Sequence, residues 1–391
     1  MPSGLQGLLT AQRSPLGKLR AAMVTDNGNP TNQTDGDDPI RVLIVDDVKS
    51  ARDLLEEILA TDPRFQVVGR VADGVEAVAV ALQLRPDLVT MDIRLPGIDG
   101  FEAVERILAK LPVPIVMITA SMGNQEEKLF QAFSSGALDV LDKQELYLWR
   151  TRPEIRNSFL RRMRALASTR VRQAVGSITA EPEALVTVAP TQIGSVKPPL
   201  VVAIAASTGG PTALMRLFKR MPREVNGAFV VVQHMSLGFL DGLVRWLDDE
   251  VGLKVKKAQE GDLLEPGVVL IAPGDHHMMV TDVGTVRLNR SLPINGHRPS
   301  AELLFDSVAN HYRNRGTGVI LTGMGSDGAE GLKNLRVGGG HTIAQDEQSS
   351  IIFGMPRAAI ELDAAEMILP LEEIGPQIMK WISEQHSSSN H

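Results

Sequence analysis

The sequence predicts an α/β protein: an N-terminal five-stranded, parallel, doubly wound sheet linked to a second, larger doubly wound α/β domain. Three observations predict it. At 391 residues the chain exceeds what one hydrophobic core usually serves. Hydrophobic residues at 43% and charged residues at 22% strike a globular balance, neither disordered nor membrane-like. Short apolar runs bounded by Gly, Pro and Asp alternate with stretches of helical spacing, the pattern of buried parallel strands joined by crossover helices.

Residues 1–38 are rich in Gly, Pro, Asn, Asp, Ser and Thr, with TDNGNPTNQTDGDDP the extreme. Such a composition does not repay its ordering entropy, so a disordered leader is expected. Across 39–149, RVLIVDD, QVVGRVAD, DLVTMDI, PIVMITA and GALDVLDK read as strands, and VKSARDLLEEILAT, GVEAVAVALQLRP and GFEAVERILAKL as helices between them. In 150–199 the texture changes twice. Ile155, Phe159, Met163 and Leu166, amid eight Arg and one Glu between 150 and 172, predict a basic amphipathic helix. A solvated face on a connecting helix is the favoured reading of those arginines over a nucleic-acid or acidic-partner patch. Residues 176–199 hold four prolines and no period, and read as a linker.

The second domain is expected over 200–385. LVVAIAA runs into a Gly-rich turn and a helix, STGGPTALMRLFKRM. Further strands are AFVVVQ, VVLIA, HMMVT, GVILTG and HTIAQ; further helices are FLDGLVRWLDDE, AELLFDSVANHY, DGAEGLKNL and PRAAIELD. The closing SEQHSSSNH is expected to fray.

Composition excludes several classes of function. A net charge of −7 argues against wholesale nucleic-acid binding. No apolar run approaches the ~20 residues of a membrane span, so no membrane insertion is expected. Cysteine is absent, which removes disulfides, thiol nucleophiles and cysteine metal sites. No signal-peptide pattern opens the chain, and the cytoplasm is the expected location.

Two constellations carry chemistry. The first lies at strand ends of the N-terminal domain: Asp46 and Asp47 after the first strand, Asp92 after the third, Thr119 at the fourth and Lys143 after the fifth. Doubly wound sheets converge these ends. Three carboxylates together raise one another's pKa unless a cation sits among them, and hard oxygen donors suit Mg²⁺. A carboxylate beside such an ion, with an ammonium and a hydroxyl opposite, is suited to accept a phosphoryl group. This pattern resembles the response-regulator receiver domain, carried by the DD pair, MDIRLPGIDGFE, ITA and the lysine of GALDVLDK. The resemblance implies Asp92 as the phosphorylated residue; Asp46, Asp47 and Asp92 as Mg²⁺ ligands; and Thr119 and Lys143 as phosphoryl partners. Val140 stands where many receivers carry an aromatic switch residue, and Gln144 where proline usually follows the lysine.

The second constellation begins at Ser207, between LVVAIAA and TGGPTAL, at a strand-to-helix turn fit for a phosphate or a nucleophile. No lysine follows the glycines, so a nucleotide-binding loop is disfavoured. His234 follows AFVVVQ and Asp327 lies in GVILTGMGSDGAEG, each at another strand-to-loop edge. A hydroxyl needs a base, and the base a carboxylate that holds its tautomer. Taken singly, His234 reads as an ordinary loop residue and Asp327 as an Asx-turn former. Taken together, SxGG, VVQHM, APGDHHM, GHRPSAELLF and LTGMGSDGAEGL resemble the catalytic domain of the chemotaxis protein-glutamate methylesterase family, CheB, and a receiver joined to that domain is the family's architecture.

That resemblance implies Ser207 as nucleophile, His234 as general base, Asp327 as its orienting acid, the Met324 N–H as oxyanion donor, and His297 and Arg298 as substrate contacts. It implies no cofactor in the catalytic domain, and loop packing for His276 and His277. Ala205 stands where glycine is commoner. The implied reaction is hydrolysis of glutamate methyl esters, and deamidation of glutamines, on methyl-accepting chemoreceptors. The implied phosphodonor is the histidine kinase CheA, and a monomer is expected. The same esterase in a non-flagellar pathway and a catalytically silent receiver-gated scaffold are the competing readings; a DNA-binding response regulator is disfavoured by the size of the second domain.

Overall fold

The computed structural model describes residues 38–119, 130, 133, 136–169 and 200–388. The expected leader, apart from Asp38, and the 176–199 linker lie outside the described residues.

The first sheet has five strands, β1 (Ile40–Val45), β2 (Phe65–Val71), β3 (Leu88–Met91), β4 (Ile115–Thr119) and β5 (Asp139–Asp142), in the order β2-β1-β3-β4-β5. All pairings are parallel. Side chains alternate between two cores, as period-two geometry requires: Leu43 and Val45 of β1 enter one, Val42 and Ile44 the other. Asp73 and Asp99 cap the helices that follow by accepting from the N–H groups of Val75, Glu76 and Glu102.

The basic helix is Pro153–Ala167. Its Phe159, Leu160, Met163 and Leu166 pack with Leu55, Ile58 and Leu59 of the helix Lys49–Ala60. The arginines are less solvated than the favoured sequence reading has them. Arg162 Nη2 is 2.6 Å from Asp139 Oδ1, and Arg164 Nη1 is 3.0 Å from Asp62 Oδ2, both acids nearly buried. The helix is thereby fastened to the first sheet's layer.

The second sheet is parallel throughout: β6 (Leu200–Ala206), β7 (Gly227–Gln233), β8 (Lys254–Lys257), β9 (Val268–Ile271), β12 (Gly316–Ile320), β13 (His341–Gln345) and β14 (Met367–Leu369), in the order β14-β13-β12-β6-β7-β9-β8. The order reverses on either side of β6, which makes its carboxyl end the switch-point crevice. Ala205 is fully buried in one of the two cores flanking this sheet.

Several expectations need correction. HMMVT forms a strand, β10 (His277–Val280), but it pairs antiparallel with β11 (Val286–Asn289) in a separate two-stranded sheet, because Gly284 at φ +81° turns the chain back. The edge strand β8 has three lysines and one valine, so its composition hides it, as edge strands often do. The end of the chain continues a helix, Leu371–Ser388, which takes in the first six residues of the segment expected to fray. Ile374, Ile378, Trp381 and Ile382 bury at helical spacing there. Among the described residues, no helix is long and apolar enough to cross a membrane.

Candidate active site

Two clusters gather at strand ends, as the sequence predicts. In the first sheet, Val45 and Met91 are paired across β1 and β3, so Asp46 and Asp92 follow side by side. Asp46, Asp47 and Asp92 each present an oxygen within 4.8 Å of the others. Lys143 Nζ reaches both, at 2.5 Å from Asp46 Oδ2 and 3.1 Å from Asp92 Oδ1. Thr119, buried, pairs with Asp142 in the β4–β5 register, next to Lys143. Burial pushes the Asp92 carboxyl up to about 6; Lys143 opposes this and Asp46 reinforces it. One lysine against three carboxylates leaves net negative charge, and an all-oxygen donor set of this kind fits a hard divalent cation.

In the second sheet, three adjacent strands carry the second cluster. Ser207 follows β6, His234 follows β7 and Asp327 lies in the loop after β12. The turn at Ser207 is tight: its N–H donates to Thr322 O at 3.1 Å, and Gly210 N–H donates to Ser207 O at 2.8 Å. Gly209, at φ +78°, enters the helix Gly210–Lys219 from the left-handed region. Gly323 lets the Met324 turn close on the serine, since a Cβ there would lie 2.8 Å from Ser207 Cβ.

His234 Nε2 approaches Asp327 Oδ2 to 2.9 Å, with the acid almost wholly buried. Both ring nitrogens of His234 are buried and neither meets hydrogen-bond geometry, so the Nε2–Oδ2 approach is a close contact rather than an aligned hydrogen bond. Asp327 Oδ2 also accepts the Ala301 N–H at 2.6 Å, and Oδ1 accepts the Ser300 hydroxyl at 2.7 Å. Burial alone would raise the Asp327 carboxyl; His234, Ser300 and Ala301 together hold it below the usual range. The His297 ring stacks on His234, centroids 4.2 Å apart and planes 13° apart. Burial first, then the charge of His234, pushes His297 down to about 4, so it is neutral near pH 7. Arg298 lies in the same loop, but its guanidinium donates to the carbonyls of Arg290 and Ser291, at 3.4 and 3.2 Å.

Comparison with known proteins identifies the family. The CheB methylesterase family model matches residues 202–378, and the response regulator receiver domain model matches residues 42–146. A protein-glutamate methylesterase/protein-glutamine glutaminase of Myxococcus xanthus is 41% identical over 345 residues, spanning 87% of this chain and 96% of its own length. The chain belongs to the CheB methylesterase family. A second relative of the same printed name, from Anaeromyxobacter dehalogenans, is 42% identical over 339 residues, with 87% of this chain and 96% of its own covered. The crystal structure of the Thermotoga maritima CheB methylesterase catalytic domain is 38% identical and covers 48% of this chain and 100% of that one, at a TM-score of 0.45. Membership places this CheB-family chain among hydrolases, with a receiver domain preceding the methylesterase domain.

The receiver and methylesterase regions touch close to the second cluster. Phe130 stacks on Trp246, Glu145 hydrogen-bonds Ser236, and Thr169 Oγ1 donates to Ile351 O at 3.1 Å. Ile351, Ile352 and Met324 pack into the core that holds the basic helix. The charge of Arg161, on that helix, acts on His297.

Sequence reading missed two residues here. Ser300 sits inside the quoted GHRPSAELLF run, where an N-cap signature hides its contact with Asp327. Gln233, 3% exposed, donates from Nε2 to Ser207 O at 2.8 Å and His234 O at 3.0 Å. A polar residue ending an all-apolar strand was the available signal. His277, fully buried, accepts the Ser300 N–H at Nδ1 and faces Leu292 O at Nε2, both at 3.2 Å. His276 bridges Asp275 and Arg290, at 2.7 and 2.8 Å. Both histidines spend their ring nitrogens on loop contacts, which suits the packing role expected of them.

Proposed function

We propose that this chain is a phosphorylation-gated hydrolase that cleaves glutamate methyl esters, and deamidates glutamines, on methyl-accepting chemoreceptors. The single observation that carries the reading is the approach of His234 to a buried, multiply hydrogen-bonded Asp327 at the strand ends flanking Ser207. The printed names of the curated relatives support the substrate class.

The Ser207 hydroxyl is the nucleophile. With Nε2 turned to Asp327, Nδ1 is the nitrogen of His234 left to take its proton. Attack on the γ-carbonyl forms a tetrahedral oxyanion facing the Met324 N–H, and methanol departs with the proton His234 returns. Water then attacks the acyl-enzyme, with His234 again as base, and releases glutamate. An amide follows the same route with ammonia as leaving group. His297 and Arg298 line the mouth as substrate contacts. No cofactor is invoked in this domain.

At the receiver site, Asp92 takes the phosphoryl group from a histidine kinase of the CheA type, Asp46, Asp47 and Asp92 hold Mg²⁺, and Thr119 and Lys143 meet the phosphoryl oxygens. Bound there, Mg²⁺ supplies charge neutralisation at those oxygens. The contacts of the receiver and basic helix with the Met324 and Ile351 loops support gating, since an altered receiver changes what packs against the ester-cleaving site. The chain acts as a cytoplasmic monomer on this reading.

The test is methanol release from methyl-labelled receptor membranes by wild type and Ser207→Ala, with and without a phosphodonor and Mg²⁺. Release that requires Ser207 and rises with phosphodonor is the expected result. Absence of release from folded, phosphorylated wild type on several receptors overturns the reading in favour of a silent scaffold.

A further inference from the structure

We propose that Ser300 is a positioning residue of the ester-cleaving site, its hydroxyl fixing the plane and the charge of the Asp327 carboxylate that orients His234. The inference rests on the triad reading above and deepens it.

Hydrogen-bond bookkeeping fixes the direction of every bond in this buried group. Ser300 is fully buried. Its Oγ accepts the Glu302 N–H at 3.2 Å, and its only hydroxyl proton goes to Asp327 Oδ1 at 2.7 Å, because an ionised carboxylate only accepts. Asp327 Oδ2 accepts the Ala301 N–H at 2.6 Å and lies 2.9 Å from His234 Nε2. With Oδ2 alone engaged, the carboxylate can swing about its Cβ–Cγ bond; the Ser300 bond at the other oxygen stops that rotation.

Ser300 is itself held from behind. A backbone N–H only donates, so His277 Nδ1 is the acceptor in its 3.2 Å contact with Ser300 N, and His277 Nε2 carries the ring proton toward Leu292 O. A neutral imidazole of one tautomer therefore sets the height of Ser300, Ser300 sets Asp327, and Asp327 sets His234.

Ser300 also caps the helix Ala301–His311, and a cap alone would touch only stability. The two roles separate in a pH profile. Losing a donor makes Asp327 more basic, Asp327 then grips the His234 proton more firmly, and the acid limb of kcat/KM moves to higher pH. The other titratable groups facing this pair are His297 and Glu302; Arg161 acts on His297, Asp306 on Glu302, and His277 contacts Ser300. Glu302→Gln removes the carboxyl on that helix pushed up to about 7, so profiles are compared in that background as well.

The experiment measures methanol release by the full phosphorylated chain on methylated receptor membranes for wild type, Ser207→Ala, Ser300→Ala and Ser300→Thr. Expected for Ser300→Ala are a kcat lower by about tenfold or more, KM within about twofold, and an acid limb raised by about half a pH unit, with Ser300→Thr restoring all three. A Ser300→Ala enzyme with kcat within twofold and an unmoved limb, alongside a dead Ser207→Ala, overturns the inference and leaves the triad reading standing. An active Ser207→Ala removes that reading and this inference with it. If Ser300→Ala does not fold, Ser300→Gly, which keeps a favourable N-cap backbone without the hydroxyl, is held to the same outcomes.

Discussion

The ring of Phe130 lies stacked on the indole of Trp246, centroids 5.4 Å apart and planes 24° apart, joining the receiver to the helix Leu237–Glu250. Both side chains are buried, yet Trp246 Nε1 has no hydrogen-bond partner. An unpaired buried donor costs about 1–3 kcal/mol, a cost that ends when the contact opens and water reaches the indole. The contact is thus held by apolar burial and stacking and opposed by one orphaned donor, which suits an interface that opens and closes.

Phe130→Ala is therefore expected to raise methanol release by the unphosphorylated chain. An aromatic pair contributes about 0.5–1.5 kcal/mol beyond its area, which corresponds to a two- to twelve-fold shift in a closed–open equilibrium. Phosphodonor should then add proportionately less. Basal release equal to wild type would show that this stack does not hold the closed arrangement.

Chelation separates the two sites. With phosphodonor present, EDTA is expected to abolish the stimulated part of the activity and leave the basal part unchanged, because the cation-fitting donor set is Asp46, Asp47 and Asp92 alone among the described residues. Asp92→Asn should give the same basal-only enzyme without any chelator. Loss of basal release on chelation would put a metal in the ester-cleaving chemistry and contradict the proposed mechanism.

The strand ends were legible because parallel sheets announce themselves: apolar runs locate the strands, and polar residues just past them locate Asp92, Ser207 and His234. What stayed hidden depends on three-dimensional pairing. Lys254 to Lys257 carry too much charge to look like a strand, although Val255 anchors them at an edge. The arginines of the basic helix look solvated in sequence, because Asp139 and Asp62 lie 23 and 102 residues from Arg162 and Arg164. The contact between Ser300 and His277 carries no local signal, since it spans 23 residues.

Two groups near the triad give stability opposite dependences on pH. His297 falls from an ordinary 6.5 to about 4 on folding, so between those values the unfolded chain binds the extra proton and stability rises with pH. Glu302 rises from an ordinary 4.5 to about 7, so the folded chain keeps a proton the unfolded chain has released, and stability falls as pH climbs through that window. Thermal melts of the full chain from pH 4 to pH 8 should show His297→Phe, which retains a stacking ring, gaining relative to wild type toward pH 4. Glu302→Gln should gain toward pH 8. Parallel Tm curves for wild type and both variants would remove the assignment.

The last prediction concerns a missing methyl group. A Cβ at Gly210 would lie 1.9 Å from Gln233 Oε1, so Gly210→Ala must displace that amide. The amide Nε2 is what ties Ser207 O and His234 O together across β6 and β7. Both carbonyls would lose a donor, and nucleophile and base would no longer be held to one spacing. Displacements of about an ångström at reacting groups cost on the order of a hundredfold, so kcat should fall by ten- to a hundredfold with KM little changed. Gly238→Ala, where a Cβ meets nothing within 4 Å, is the matched control and should leave release unaltered. Because Gly210 acts through Gln233, Gln233→Leu and the double variant should be no worse than the more damaging single change. Additive losses in kcat would mean that the glycine serves only the close approach of its helix to β6, where Ala206 Cβ would lie 2.9 Å from the added methyl.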